Sequence, residues 1–145
     1  MRKGAGGDPV RQTPAGTLIA GIGFRAGTEP DEIVTLLRRA LATRPRAAVL
    51  GAIATAADRA DEAPIRIAAD AFGLVPIPVE PAALAAVDAR VPTRSARIEA
   101  SRGIGSVAEA AALAVAGEGG RLVLSRIASA GATCALAVAA AKAAS

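Results

Sequence analysis

The run Thr17-Leu-Ile-Ala-Gly21-Ile-Gly23-Phe-Arg25-Ala-Gly27-Thr28 constrains the fold more than any other stretch of the chain. Its apolar start, its glycine cluster carrying one arginine, and the Thr28 and Pro30 that follow spell a strand, a tight turn and a helix start. In α/β proteins such junctions hold anions, because the free N–H groups at a helix start attract negative charge. In a parallel sheet the junction lies at the carboxyl end of the strands, where these folds bind ligands.

The same strand-to-helix rhythm continues along the chain. Thr17–Ile22 is the first predicted strand, and Thr28 is the expected cap of a helix carrying Ile33, Leu36, Leu37, Ala40 and Leu41 at helical spacing. Pro45 ends that helix. Ala47–Ala54 reads as a second, buried strand, followed by a charged loop from Thr55 to Glu62. Pro64 opens a helix over Ile65–Phe72, which Gly73 closes in the position that favours a left-handed residue. Leu74–Val79 carries Pro76 and Pro78 and is therefore expected at a sheet edge. A third helix is expected over Pro81–Ala89, and Ser95–Ser101 is left unassigned. Gly103-Ile-Gly105-Ser106 forms a second glycine-rich turn, after which Ser106 and Glu109 spell a capping box for a helix over Val107–Ala116. Arg121–Arg126 reads as a strand and Ile127–Ala132 as a loop. Thr133–Ala140 reads as a strand, with an Ala-rich helix as the alternative. The alternation predicts a single three-layer α/β/α domain over residues 17–145 with a mostly parallel, mixed sheet. Residues 1–16 are Gly/Pro-bearing and aperiodic, and are expected to be a disordered leader.

Composition narrows the chemistry. With two Phe, no Trp and no Tyr, the core has to be assembled from Ala, Val, Leu and Ile. The absence of His removes Ser–His–Asp triads, His-ligated metals and imidazole bases. Cys134 stands alone, which excludes disulfides and Cys-based zinc sites within one chain and suits a small buried residue. No cofactor or metal is expected. The net charge of +4 is carried almost entirely by arginine, whose planar fork suits carboxylates and phosphates. Nucleic acid is disfavoured by the lack of aromatic stacking platforms and of a dense basic run. No signal peptide is evident, and the apolar stretch Ala128–Ala141 is too short for a membrane span, so a cytoplasmic location is expected.

Several clusters have two readings. Gly21, Gly23 and Gly27 either shape the turn or admit a ligand to its backbone, whereas Arg25 sits inside the turn where a ligand would approach. A dinucleotide site fails on spacing, because position 26 is alanine and no ribose-binding acid closes the second strand. Asp58, Arg59, Asp61 and Glu62 form a solvated loop or part of a site; Glu109 is a cap or a catalytic carboxylate. Arg94 and Arg97 beside Ser95 either grip carboxylates or face water.

Three segments, in order, resemble the cobalamin-biosynthesis family that contains CobE and the C-terminal domain of CbiG. They are Gly21-Ile-Gly-Phe-Arg-Ala-Gly-Thr28, then Ala54-Thr-Ala-Ala-Asp-Arg59-Ala-Asp-Glu62, then Gly105-Ser-Val-Ala-Glu109-Ala-Ala-Ala-Leu113 with Leu124-Ser-Arg126 and Ala132-Thr-Cys-Ala-Leu-Ala137. The likeness runs from Thr17 to Ala140. The family often has cysteine where Phe24 stands and lysine where Arg59 and Arg126 stand, so thiol and lysine chemistry are lost here while the charge is kept.

The resemblance implies a domain that acts on or holds a precorrin-type tetrapyrrole, a polycarboxylate partner, with other cobalamin-pathway enzymes as further partners. On that basis Arg25, Arg59 and Arg126 are expected clamps, oriented by Glu62 and Glu109. Gly21, Gly23, Gly27, Thr55, Gly105 and Ser106 complete the expected ligand site. CbiG-like proteins open a lactone with loss of a two-carbon fragment, so the alternative is a hydrolase in which Glu109 or Asp58 activates water. A nucleotide-binding module is the second alternative.

Overall fold

Proline sets three of the helix starts among the described residues. In a computed structural model of the protein, which describes residues 17–45, 48–91 and 106–140, three helices begin at or beside Pro30, Pro64 and Pro81. Each is preceded by an extended glutamate, Glu29, Glu62 or Glu80, at φ near −70° and ψ near 150°, and none of the three carboxylates bonds the helix N-terminus. The expected Thr28 cap is therefore corrected. Pro30 holds Glu29 extended, Glu29 takes the cap position, and the Thr28 hydroxyl donates instead to the Gly131 carbonyl at 3.1 Å.

The element order is β1 (Leu18–Phe24), α1 (Pro30–Leu41), β2 (Leu50–Ala56), α2 (Ala63–Asp70), β3 (Pro76–Val79), α3 (Pro81–Ala86), a 3₁₀ turn (Asp88–Arg90), α4 (Val107–Ala116), β4 (Arg121–Ala128) and β5 (Ala132–Val138). The strands form one sheet in the order β3-β2-β1-β5-β4. β1, β2 and β3 pair in parallel, and β5 runs antiparallel to both β1 and β4. Parallel neighbours are joined through helices, whereas β4 and β5 are joined by the three residues 129–131, a length that only an antiparallel pair allows. The expected mixed α/β sheet is what forms, and Thr133–Ala140 resolves to a strand rather than a helix.

Each face of the sheet carries its own core. Leu18, Ala20, Ile22 and Phe24 point toward Ile33, Leu36, Leu37 and Ala40 of α1 and toward Ile65 and Ala68 of α2. On the opposite face, Ile19, Ala52 and Ala54 meet Ala111, Ala112 and Leu113 of α4 and Leu84 of α3. Alanine dominates α4, which lets its backbone come close to the sheet. A Cβ on Gly21 would lie 1.9 Å from the Ala108 carbonyl oxygen and 2.7 Å from the Ala112 nitrogen.

The edge placement of β3 follows from its prolines. The Val79 carbonyl accepts the Ala57 N–H at 2.9 Å, so Val79 faces β2 and the alternate positions Pro76 and Pro78 turn outward. A missing N–H there removes no ladder bond and leaves no donor for an extra strand.

Several boundaries differ from the sequence reading. β1 runs on to Phe24 because β5 pairs with it out to Phe24↔Ala132, so Gly23 lies in the strand with Gly21 rather than in the turn beyond it. β2 begins at Leu50 and takes in Thr55, whose hydroxyl donates to the Ile22 carbonyl at 2.7 Å. α3 stops at Ala86 and continues as the 3₁₀ turn. Gly73 adopts φ +74°, as its closing position requires.

Candidate functional site

A cleft of about 550 Å³ opens where β1, β2 and β4 end and β5 and α4 begin. Arg25 enters it from the turn after β1, Arg59 from the loop after β2, and Arg126 from β4. Apolar wall is supplied by Phe24, Ala56, Val107 and Ala132, and hydroxyls by Thr55, Ser106, Ser129 and Thr133. Among the described lining residues there is no carboxylate.

The three arginines are held differently. Arg59 is fixed before any ligand arrives: its Nη1 donates to Glu62 Oε1 at 3.0 Å and Oε2 at 3.1 Å, and its guanidinium lies 5.2 Å from the centre of the Phe24 ring. Phe24 thus supports a cation at the cleft wall. Arg126 is anchored through its backbone. The ladder between β4 and β5 slips between Leu124 and Ile127, which frees the Arg126 N–H, and the fully buried Glu109 carboxylate accepts it at 2.8 Å. Arg25 is exposed, and its guanidinium has no hydrogen-bond or ion-pair partner among the described residues.

The Glu109 result corrects half of the capping box. Ser106 Oγ does accept the Glu109 N–H, at 3.3 Å, but the Glu109 carboxylate turns to β4 instead of back to the cap. Of the other residues singled out in the sequence, Gly23 and Thr55 line the cleft. Gly27 lies in the β1–α1 turn at φ +86°, a conformation that favours glycine. Gly21 sits deeper, beneath α4, and does not line the cleft. Asp61 borders a separate groove along α2 and β3. Gly105, Arg94 and Arg97 lie outside the described residues.

Sequence reasoning missed Glu32, Ser129 and Gly131. Glu32 resembles any first-turn acid of a helix, and its partners lie almost a hundred positions away. Its Oε2 accepts the Ser129 hydroxyl at 2.5 Å and the Gly131 N–H at 2.6 Å. These bonds, with the charge of Arg25, hold the Glu32 carboxyl below its ordinary value of 4.5, against a smaller opposing effect of burial. A lowered folded-state pKa stabilises the protein above the unfolded value, and that contribution is lost as pH falls through the folded value. The Gly131 amide should therefore stay protected from hydrogen exchange above pH 4.5 and lose protection below it. Loss of protection that begins near neutrality would contradict this.

Cys134 is buried, and burial pushes its thiol up to about 12, so it supplies no nucleophile. Among the described residues no three His, Cys, Asp or Glu side chains group as metal ligands, and no helix is long and apolar enough to cross a membrane.

Fold and site together define a three-layer α/β domain with an arginine-lined cleft at the carboxyl ends of its parallel strands. Residues 18–137 match the family described as cobalamin synthesis G C-terminus. The chain is 36% identical over 135 residues to Protein CobE of Sinorhizobium sp, covering 92% of this chain and 88% of that one. It also superposes on the crystal structure of CobE, a protein from the cobalamin (vitamin B12) biosynthetic pathway, with a TM-score of 0.77 and 33% identity over 87% of this chain and 92% of that one. Cobalamin biosynthesis protein chiG from Agrobacterium tumefaciens str. C58 is similar at TM-score 0.67 and 33% identity, covering 84% of this chain and 98% of that one. The chain belongs to the CbiG C-terminal/CobE family of cobalamin biosynthesis proteins.

Proposed function

We propose that the cleft binds a corrinoid polycarboxylate, of the precorrin or hydrogenobyrinic acid type, and that the domain carries it between steps of cobalamin biosynthesis. The observation that carries this reading is the placement of Arg59, Arg25 and Arg126 around one cleft, from the loop after β2, the turn after β1 and β4 itself. In the order β3-β2-β1-β5-β4, β2, after which Arg59 lies, and β4, which bears Arg126, are three spacings apart, or about 14 Å at about 4.8 Å per strand. A macrocycle fringed with acetates and propionates offers carboxylates on several sides at once, with its ring face against Phe24, Val107 and the alanines.

Binding is favoured over lactone hydrolysis by the state of the carboxylates. Glu62 is committed to Arg59, Glu109 is buried against the Arg126 N–H, and no carboxylate is among the described residues that line the cleft. Spectral titration of the wild-type protein with hydrogenobyrinic acid should give saturable one-to-one binding. Arg25→Ala should weaken it about tenfold, the scale of one lost charge-assisted contact. No saturation, or an affinity unchanged by Arg25→Ala, would overturn the reading. Release of a two-carbon product from a ring-contraction intermediate would instead favour the hydrolase.

A further inference from the structure

The β1–β5 ladder ends at Phe24↔Ala132, so strand pairing does not fix the two turns beyond it. A separate clasp does. The Gly131 N–H donates to Glu32 at 2.6 Å, while the Gly131 carbonyl accepts the Arg25 N–H at 2.9 Å and the Thr28 hydroxyl at 3.1 Å. Glu32 also takes the Ser129 hydroxyl at 2.5 Å. A Cβ on Gly131 would come within 2.7 Å of Thr28 Oγ1, so the clasp closes around glycine. Four hydrogen bonds thus tie the β1–α1 turn and the first turn of α1 to the β4–β5 turn, and the β1–α1 and β4–β5 turns both line the cleft. Glu32 itself does not line it.

We propose that Glu32 is a positioning residue for ligand binding: its carboxylate locks the β4–β5 turn onto the β1–α1 turn and so presents Arg25 to an incoming carboxylate. This rests on the reading of the cleft as a polycarboxylate site. The ionised carboxylate is the suited group, since it accepts from an amide and a hydroxyl together and lies close enough to Arg25 to feel its charge. A neutral amide at the same place keeps an acceptor oxygen and loses the charge.

The test is a double-mutant cycle read by titration with hydrogenobyrinic acid, on variants whose fold is checked by circular dichroism. Glu32→Ala should weaken binding about tenfold, and Glu32→Gln only about two- to fivefold. Because Glu32 acts through Arg25, Glu32→Ala placed in an Arg25→Ala background should add less than about twofold. General destabilisation would instead produce the same loss in both backgrounds, and that result overturns the inference. Wild-type affinity in Glu32→Ala overturns it as well, and leaves the cleft reading intact. A wild-type protein that fails to bind the probe removes the cleft reading and this inference with it.

Discussion

Gly21→Ala should destabilise the domain by about 3 kcal/mol or more, the upper range for overpacking a core. For a domain of this size that is a fall of roughly 10 °C in melting temperature. The added methyl would sit 1.9 Å from the Ala108 carbonyl and 2.9 Å from its carbon. These are backbone atoms of α4, so no rotamer change relieves the clash. The helix has to lift from β1, and Ala111, Ala112 and Leu113 would then lose their packing against Ile19 and Ala54. Gly21→Val should leave little folded protein. Gly27→Ala is the informative contrast: its φ of +86° strains any side chain, but the space around it is open, so it should cost only about 1 kcal/mol. Thermal melts of the three variants decide the matter. A Gly21→Ala protein that melts within about 2 °C of wild type would contradict the close α4–β1 packing.

The glycine was visible in the sequence, but its partner was not. The predicted strand stopped at Ile22 and left Gly23 to the turn, because a glycine cluster before a helix usually marks a turn. What keeps Gly23 in β1 is pairing with β5, more than a hundred residues later. Local signals did better wherever the cause was local. Pro30 and the Ile33–Leu41 stripe placed α1, and the two prolines placed β3 at an edge. Thr28 shows the limit, because its hydroxyl found a distant carbonyl in preference to the helix beside it. At the site, Arg25, Arg59 and Arg126 were legible as separate charges, and the sheet order brings them to one cleft. Glu32 was not legible, because its role depends on Ser129 and Gly131 across the fold.

The second large effect concerns those charges. The Arg25 and Arg126 residues line the cleft from opposite sides of β5 in the sheet order, so a macrocycle bound as proposed would reach both while their mutual coupling stays small. Each bidentate carboxylate contact at a partly exposed rim contributes about 1–1.5 kcal/mol after solvent screening. The Arg25→Ala/Arg126→Ala double variant should therefore bind roughly thirty- to a hundredfold more weakly than wild type. Its affinity should also fall less steeply with added salt, because fewer charges are left to screen. Arg66→Ala removes a cation that borders the α2–β3 groove instead, and should leave the affinity unchanged.

The most direct measurement is the dissociation constant of hydrogenobyrinic acid for wild type and for the Arg25→Ala/Arg126→Ala double variant, at low salt and with both proteins folded. The expected result is one-to-one binding that weakens by at least about thirtyfold in the variant. Affinities within about threefold of each other would mean that these arginines do not grip the ligand.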